Sequence, residues 1–305
     1  MKKPLTFITL FILLSLSYAQ TVSELVSAAQ NQAEQWNFKE AVELFDKAIE
    51  LDSTNAEIYY LSAIAKSDNG QKEDAIADFT KAIKLGIQKE DIYFSRALNY
   101  EYIQEYDKAI NDLTRFLLSE PEYQSAYYVR AMCNYQLNKY DAAISDFSMA
   151  IKLGPDEQDI SQTYYFRAFA YSDNGDYKKA ILDLEKAQEL APDDSRIIYR
   201  ILRVKSKSGN YTEVIAESTR LINENKQDIE ALGIRSEAYL AQGDYSLAIK
   251  DLNAAVKLYP HAEVYYLRGK AYQQMGNDKK ALKDYKKTLK LEPDFRDCQD
   301  LINNI

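Results

Sequence analysis

Apolar residues recur at helical spacing in two neighbouring stretches near the middle of the chain, with a polar segment between them. The first stretch contains Tyr164, Ala168 and Tyr171 at positions i, i+4 and i+7. The second begins at Ala180 and has ended by Pro192, whose nitrogen carries no hydrogen and cannot continue a helix. Both stretches have the period of an α-helix with one buried face. The pattern predicts two helices joined by a short turn, a helical hairpin.

The hairpin pattern recurs along the chain. The residue that opens each second helix is small and apolar, and successive copies are 34, 34, 34, 37, 34, 34 and 33 residues apart. These residues are Ala41, Ala75, Ala109, Ala143, Ala180, Val214, Ala248 and Ala281. The turns share Gly70, Gly175, Gly209, Gly243 and Gly276, and the second helices are followed by Pro121, Pro155, Pro192, Pro260 and Pro293. Helix-breaking residues in register predict eight hairpins.

This arrangement resembles the tetratricopeptide repeat, a helix–turn–helix unit of 34 residues with small, aromatic and proline residues at fixed offsets. The resemblance covers roughly residues 21 to 294. It implies an all-α fold, a right-handed superhelical solenoid of eight repeats within residues 20–294. Residues 295–305 place Phe295, Cys298, Leu301, Ile302 and Ile305 largely on one face, as expected of a capping helix.

Two parts of the chain depart from the regular pattern. The sixth repeat has Leu202 where a small residue is expected and Ser218 where an aromatic one is expected, so its packing should differ. Between the fourth and fifth repeats, residues 156–160 accommodate three extra residues. They predict either a longer loop or an extended first helix.

The N-terminus has the features of a secretory signal peptide. Lys2 and Lys3 precede an apolar run from Leu5 to Leu16, and small residues follow. We expect residues 1–19 to be removed by cleavage before Gln20. The competing interpretation is a retained anchor, but the run is shorter than the roughly 20 residues that span a bilayer. The sequence predicts an exported, periplasmic or secreted protein with no membrane span after cleavage.

Acidic residues outnumber basic ones, 47 to 38, and the net charge is −9. Loss of Lys2 and Lys3 would change it to −11. Such a chain should be soluble and should repel nucleic acid and anionic membranes. Cys133 and Cys298 lie in the fourth repeat and in the terminal segment, so we expect them to be unpaired.

The sequence offers no recognisable catalytic constellation. Its one histidine, His261, stands beside Pro260 between repeats, where a surface position is the more common role. There is no glycine-rich phosphate loop, no nucleophile elbow and no clustered metal-ligand spacing. We therefore predict a non-enzymatic protein with no catalytic residue, metal or cofactor.

An arginine in the first helix is followed sixteen residues later by an aspartate in five of the repeats. The pairs are Arg96 and Asp112, Arg130 and Asp146, Arg167 and Asp183, Arg235 and Asp251, and Arg268 and Asp284. They could be ligand-gripping or acid–base sites, or salt bridges that brace each hairpin and could be shared with the next repeat. Near-identical copies favour bracing, because catalytic groups need a unique environment.

An aromatic series follows the core tyrosine of the first helices by one residue. Its members are Tyr60, Phe94, Tyr128, Tyr165, Tyr199 and Tyr266, with Gly233 at the corresponding place in repeat seven. One residue turns the side chain by about 100° around the helix axis, away from the packing direction of its neighbour. The family resemblance implies that this face lines a concave groove. Partly exposed packing between helices is the alternative, and the sequence leaves both open.

A basic stripe stands out in the acidic chain, formed by Arg196, Arg200, Arg203 and Lys207 on the first helix of repeat six. It could be a solvated face paired with carboxylates such as Glu189, Asp193 and Glu230. Alternatively, it could dock an acidic terminus or side chain of a partner. We identified no other basic stripe from the sequence.

These features together predict a scaffold of the cell envelope that binds an extended protein or peptide across repeats three to six, with an acidic group near Arg203. The predicted binding residues are Tyr60, Phe94, Tyr128, Tyr165, Tyr199, Tyr266, Arg196, Arg203 and Lys207. The alternative is a glycan- or peptidoglycan-binding module that stacks sugar rings on the tyrosines. The lysine and asparagine clamp with which some family members hold a C-terminal carboxylate is absent from the corresponding positions.

Overall fold

A computed structural model of the protein describes residues 21–154, 157–295 and 297–305, without the side chains of 157–159. The predicted signal peptide, residues 1–19, lies outside the described residues. All regular secondary structure in the described part is helical, as predicted. The chain divides into two compact units, Met1–Gly154 and Pro155–Ile305, and the boundary falls where the repeat interval lengthens to 37 residues.

The first unit contains four helical hairpins. Its helices are α1 (21–34), α2 (Phe38–Leu51), α3 (Ala56–Asp68), α4 (Lys72–Lys84), α5 (Asp91–Tyr102), α6 (Tyr106–Ser119), α7 (Gln124–Gln136) and α8 (Tyr140–Leu153). From α2 onward, each helix packs against the next, and the first helices α3, α5 and α7 also contact one another in sequence. Each hairpin therefore buries one face within itself and another against its neighbour.

The second unit contains four more hairpins and a short final helix. Its helices are α9 (Glu157–Asp173), α10 (Tyr177–Leu190), α11 (Ser195–Lys207), α12 (Tyr211–Glu224), α13 (Ile229–Gln242), α14 (Tyr245–Leu258), α15 (Ala262–Gln274), α16 (Asp278–Leu291) and α17 (Cys298–Asn303). α9 has 17 residues, whereas the other first helices of this unit have 13 or 14. The extended-helix interpretation of the three extra residues is thus confirmed.

The terminal segment covers the end of the eighth repeat. Cys298 is buried, and Phe295, Leu301 and Ile302 pack with it against Tyr266 and Tyr285. Ile305 is 39% exposed and does not share this packing. Both cysteines are buried free thiols, as expected. Burial raises the pKa of the Cys133 thiol to about 12, which keeps it protonated and unreactive at neutral pH.

The core of each repeat is built around a size-complementary pair of buried residues, one on each helix and sixteen residues apart. The pairs are Ala29 and Phe45, Ala63 and Phe79, Ala97 and Leu113, Ala131 and Phe147, Ala168 and Leu184, Leu202 and Ser218, Ser236 and Leu252, and Gly269 and Tyr285. In the last pair the glycine is required, because a Cβ at Gly269 would lie 2.6 Å from a ring carbon of Tyr285. A small residue thus faces a large one in every repeat.

The sixth repeat also pairs a small residue with a large one, but here the large residue is on the first helix and the small one on the second. Leu202 on α11 is buried, and Ser218 on α12 replaces the large residue of the other repeats. α11 contacts α12 less extensively than other first helices contact their partners, and α11 also packs directly against α13. The predicted difference in packing is therefore confirmed.

Every turn within a hairpin contains one residue in the left-handed region. The residues are Trp36, Gly70, Gln104, Asn138, Gly175, Gly209, Gly243 and Gly276, with φ between 57° and 85°. Glycine adopts this conformation without steric cost and asparagine, as at Asn138, tolerates it, whereas Trp36 and Gln104 adopt it under strain. The turn is therefore set by the packing of the two helices, and glycine merely makes it easier.

All five arginine–aspartate pairs form bidentate salt bridges, with Nε and Nη2 donating to the two carboxylate oxygens at 2.7–2.9 Å. The aspartates are buried. In four pairs the remaining Nη1 donates to the second helix of the preceding repeat, to Thr80, Thr114, Thr219 or Asn253. The bracing interpretation is confirmed, and in these four pairs the brace reaches the preceding repeat rather than the next one.

Three repeats lack the arginine–aspartate pair. In repeat one, Ala28 and Leu44 occupy the two positions. In repeat two, Ser62 stands at the arginine position, and both its hydroxyl and the Lys66 ammonium donate to Asp78 at 2.7 Å. In repeat six, Ile201 and Glu217 occupy the two positions, and Ile201 is buried in the core. The sixth repeat is consequently held by apolar contacts where its neighbours have a buried ion pair.

Candidate binding cleft

Two members of the predicted aromatic series do not line a groove. Tyr60 and Tyr266 are only 6% and 3% exposed. The Tyr60 hydroxyl donates at 2.6 Å to Asp91, at the start of the following repeat. The Tyr266 hydroxyl donates at 2.7 Å to Asp297, at the start of the terminal segment. The groove assignment is therefore wrong for these two residues, because the chain that follows each ring covers it and binds its hydroxyl.

Phe94 and Tyr128, in the first unit, are half-buried. The Phe94 ring lies 5.3 Å from Phe116 and 5.1 Å from Tyr123, and these three rings form a cluster. Tyr128 lies 5.9 Å from Phe147 in an edge-to-face arrangement. Both rings have packing roles, and each keeps part of its surface exposed.

The second unit brings four of the predicted site residues into one cleft, which we call the arginine cleft. Its volume is about 400 Å³. Its lining residues are Tyr165, Arg196, Tyr199, Arg200, Arg203 and Glu230. They come from three successive first helices, α9, α11 and α13. Four of the predicted residues therefore lie together here, and their part in binding stays a prediction.

The spacing along α11 explains why this helix supplies most of the lining. Arg196, Tyr199 and Arg203 stand at i, i+3 and i+7, which puts them on one face of the helix. The helix begins after Asp194, whose side chain accepts a hydrogen bond from the backbone N–H of Arg196 at 3.0 Å. The opposite face carries Ile197, Ile201 and Val204, which are buried in the core.

Each cation of the basic stripe already has a contact. Arg196 pairs with Asp194 at 2.6 Å, Arg203 with Glu230 at 2.7 Å, and Lys207 with Asp173 at 3.1 Å. Of the predicted carboxylates, Glu230 is confirmed, whereas Asp194 and Asp173 replace Asp193 and Glu189 as partners. Lys207 does not line the cleft.

The Arg203–Glu230 pair remains accessible, with side chains 42% and 46% exposed. Burial by itself would lower the pKa of Arg203. Its hydrogen bond to Glu230 and the charges of nearby carboxylates raise the pKa by more than burial lowers it, so the net shift is upward. Glu237 lies at 4.0 Å from the same guanidinium. Arg203 is therefore a permanent cation whose ion pair can exchange with solvent.

Tyr199 supplies a fixed polar edge to the cleft. Its hydroxyl donates to Asp228 at 2.9 Å. Burial, that hydrogen bond, and the charges of Asp228 and Glu230 raise its pKa to about 12. The phenol stays protonated at physiological pH, so Tyr199 is suited to contact and orientation rather than to proton transfer.

Sequence reasoning missed a second cleft beside the first. It has a volume of about 440 Å³ and shares Tyr165 and Arg196 with the arginine cleft. Phe166 adds to its lining, while Phe169 packs 4.9 Å from Tyr165 and lies beneath the Arg200 guanidinium at 3.4 Å. Phe169 follows Tyr165 by four residues, so helical periodicity could have identified it.

Sequence models of the tetratricopeptide repeat match residues 44–77, 94–157, 161–194 and 262–295, and a model described as TPR repeat matches residues 237–276. The matched ranges together cover more than half of the 305 residues. The chain is a tetratricopeptide repeat protein. The hairpins within the matched ranges are thus copies of one known unit.

Solved structures of tetratricopeptide repeat proteins have the same fold. A protein from Parabacteroides merdae superposes over 93% of this chain and 98% of its own, with 19% identity and a TM-score of 0.51. YrrB, described as having an unusual peptide-binding site, covers 60% of this chain and 96% of its own, with 20% identity and a TM-score of 0.54. MamA covers 58% and 96%, with 21% identity and a TM-score of 0.53. The comparison with curated proteins found no match.

Two further features of this tetratricopeptide repeat protein bear on its chemistry. Within residues 21–154, 157–295 and 297–305, no group of three His, Cys, Asp or Glu side chains could hold a metal ion. In the same ranges, no helix has both the length and the apolar character needed to cross a membrane.

Proposed function

We propose that this protein is a non-enzymatic scaffold of the cell envelope that binds an extended polypeptide, and that the arginine cleft is its main contact. The observation that carries the proposal is the meeting of Tyr165, Tyr199 and Arg203 at one cleft formed by three successive repeats. Tyrosine and arginine are the residue types that most often dominate the energy of protein interfaces.

The cleft suits a peptide with an acidic group beside an apolar or aromatic residue. The half-buried rings of Tyr165 and Tyr199 offer apolar surface with little loss of conformational entropy on binding. Arg203 can exchange Glu230 for a carboxylate of the partner, because exposed ion pairs contribute little stability. Binding would therefore replace one carboxylate with another. YrrB, with its peptide-binding site, gives a precedent within the family.

Removing the cleft tyrosines is expected to weaken peptide binding by about tenfold or more. The measurement is a titration of short acidic and neutral peptides, selected from an array, against wild-type protein and a Tyr165→Ala/Tyr199→Ala variant. The matched control is Tyr102→Ala/Tyr259→Ala, which removes two tyrosines that are 68% and 60% exposed and lie outside the cleft. Arg203→Glu should reduce affinity most at low salt, where screening is weakest.

Unchanged affinity in the cleft variant, with helical circular dichroism intact, would locate the partner on another surface. A glycan panel titrated in parallel tests the alternative function. Binding of cell-wall sugars that depends on Tyr165 and Tyr199, without peptide binding, would replace the peptide proposal with a glycan-binding one.

The export part of the proposal rests on Lys2, Lys3 and the apolar run that follows them. Intact-mass analysis of protein from the native host is expected to give a chain beginning at Gln20. Recovery of only a full-length form from the cytoplasm would contradict export and, with it, the envelope location. The peptide-binding proposal would be unaffected.

A further inference from the structure

A second basic surface lies on α16, the second helix of the eighth repeat. It consists of six lysines, all exposed: Lys279, Lys280, Lys283, Lys286, Lys287 and Lys290. We call this surface the lysine face. Its presence contradicts the sequence-based view that the stripe on α11 is the only basic stripe of the chain.

Four of the six lysines form a straight row. Lys279, Lys283, Lys286 and Lys290 stand at i, i+4, i+7 and i+11, so the row runs about 16 Å along the helix. Lys280 and Lys287 flank it, and their ammonium groups lie over the rings of Tyr272 and Tyr265 at 5.1 Å and 5.9 Å. The opposite side of α16 is buried, with Ala281, Tyr285 and Thr288 in the core.

The ammonium groups of the lysine face form no salt bridges within the described part of the protein. Some lysines elsewhere pair closely with carboxylates, as Lys66 does with Asp78 and Lys205 with Glu213, both at 2.7 Å. No carboxylate of the described residues forms a salt bridge with any of the six α16 ammonium groups. Asp284, in the middle of the helix, is buried and paired with Arg268.

We propose that the lysine face docks the protein on an anionic membrane surface, with the ammonium groups at lipid phosphate oxygens. A cluster of four to eight basic residues on one helix face is the charge density that binds anionic bilayers. Lysine acts as a hydrated point charge and needs no shaped site, which suits a diffuse layer of headgroups.

The surface fits a membrane better than it fits a nucleic acid or an acidic peptide. The row contains no arginine for bidentate contacts, and the one aromatic residue within it, Tyr285, is buried and offers no ring on which a base could stack. Neither of the two clefts described above includes a residue of α16. A flat row of point charges offers a peptide no pocket for an anchoring side chain.

The acidic character of the whole chain does not prevent such docking. The screening length at physiological ionic strength is about 8 Å. Acidic side chains farther away than this contribute little to the potential at the lysine face, where six cations lie close together. The net charge of −9 therefore determines the repulsion between the protein and a distant anionic membrane, whereas the lysine face determines the interaction once the two surfaces touch.

The test is co-sedimentation of the full chain with vesicles of phosphatidylcholine alone or mixed with phosphatidylglycerol. Any binding through the apolar residues 5–16 is measured on the neutral vesicles and subtracted. The quadruple variant Lys279→Gln, Lys283→Gln, Lys286→Gln and Lys290→Gln should lose on the order of tenfold or more of its partitioning onto anionic vesicles. Added salt should reduce wild-type binding in the same way.

The matched control removes the same charge elsewhere. Lys39→Gln, Lys47→Gln, Lys84→Gln and Lys178→Gln affect four exposed lysines on other helices and should leave partitioning nearly unchanged. Replacement of the four α16 lysines with arginine keeps the charge and should retain binding, which separates charge loss from misfolding.

Three results would overturn the proposal. They are equal losses in the two quadruple glutamine variants, an unchanged α16 variant, and wild-type protein that binds single-stranded DNA or polyglutamate but not anionic vesicles. The proposal is independent of the arginine cleft, because it concerns a different helix and a different probe.

Discussion

Leu202→Ala is expected to lower the free energy of unfolding by about 3 kcal/mol. Leu202 is buried in the core of repeat six, and its partner position holds the small Ser218. In this repeat alone, the leucine on the first helix supplies the volume that a large residue on the second helix supplies elsewhere. Truncation therefore leaves a cavity, because the facing position holds only a serine. Chemical denaturation followed by far-ultraviolet circular dichroism measures the loss.

The rest of the protein indicates how to repair that cavity. Ser218→Phe alone should destabilise by about 1–3 kcal/mol through overpacking. The double variant Leu202→Ala/Ser218→Phe recreates the pair found at Ala63 and Phe79, and it also removes the Ser218 hydroxyl, which is buried without a hydrogen-bond partner. We expect it to be more stable than either single variant. If the double variant loses as much stability as the two single variants together, the exchanged side chains are not complementary in size. The control is Leu182→Ala, at a position that is 53% exposed.

Arg130→Ala should cost about 3 kcal/mol of stability. The substitution leaves the Asp146 carboxylate buried, with the Asn134 amide at 3.2 Å as its remaining side-chain donor. It also removes the hydrogen bond to Thr114 in the preceding repeat. The measurement is the same denaturation experiment, made on Arg130→Ala, Asp146→Ala and the double variant.

The double variant should lose less than the sum of the two single losses, because no unpaired charge remains buried in it. Lys108→Ala is the control, since its pair with Glu105 is exposed on both sides and should contribute at most about 1 kcal/mol. If Arg130→Ala costs no more than Lys108→Ala, the brace is not a significant source of stability.

The repeating parts of the fold could be predicted from the sequence because each copy confirms the others. The alanine series located the hairpins, and the arginine–aspartate spacing of sixteen gave the correct brace. The third contact of four braces, to residues such as Thr80 or Asn253, could not be predicted, because it depends on how one hairpin packs on the next. The turns at Gln104 and Asn138 also lack the glycine signal, although their backbone is the same.

The candidate site was predicted in part. Tyr165, Tyr199, Arg196 and Arg203 do meet at one cleft, because helical spacing alone aligns them on successive first helices. Burial of Tyr60 and Tyr266 could not be read from the pattern, since it depends on Asp91 and Asp297 in the chain that follows each ring. The lysine face does not show in the net charge of the chain, because a total of −9 conceals a local excess of lysines on α16.

The hydrogen bonds from arginines to the preceding repeat bear on how the second unit unfolds. Arg235 and Arg268 reach back to the preceding repeats through Thr219 and Asn253 and couple repeats six, seven and eight. Repeat six has Ile201 at that position, so no such arginine couples it to repeat five. In a linear array, unfolding spreads across a junction only as far as the junction energy allows. At the junction between α10 and α11, apolar contacts of Ile197, Ile201 and Val204 take the place of this link. We therefore expect the energy of this junction to differ from that of the two junctions that follow it.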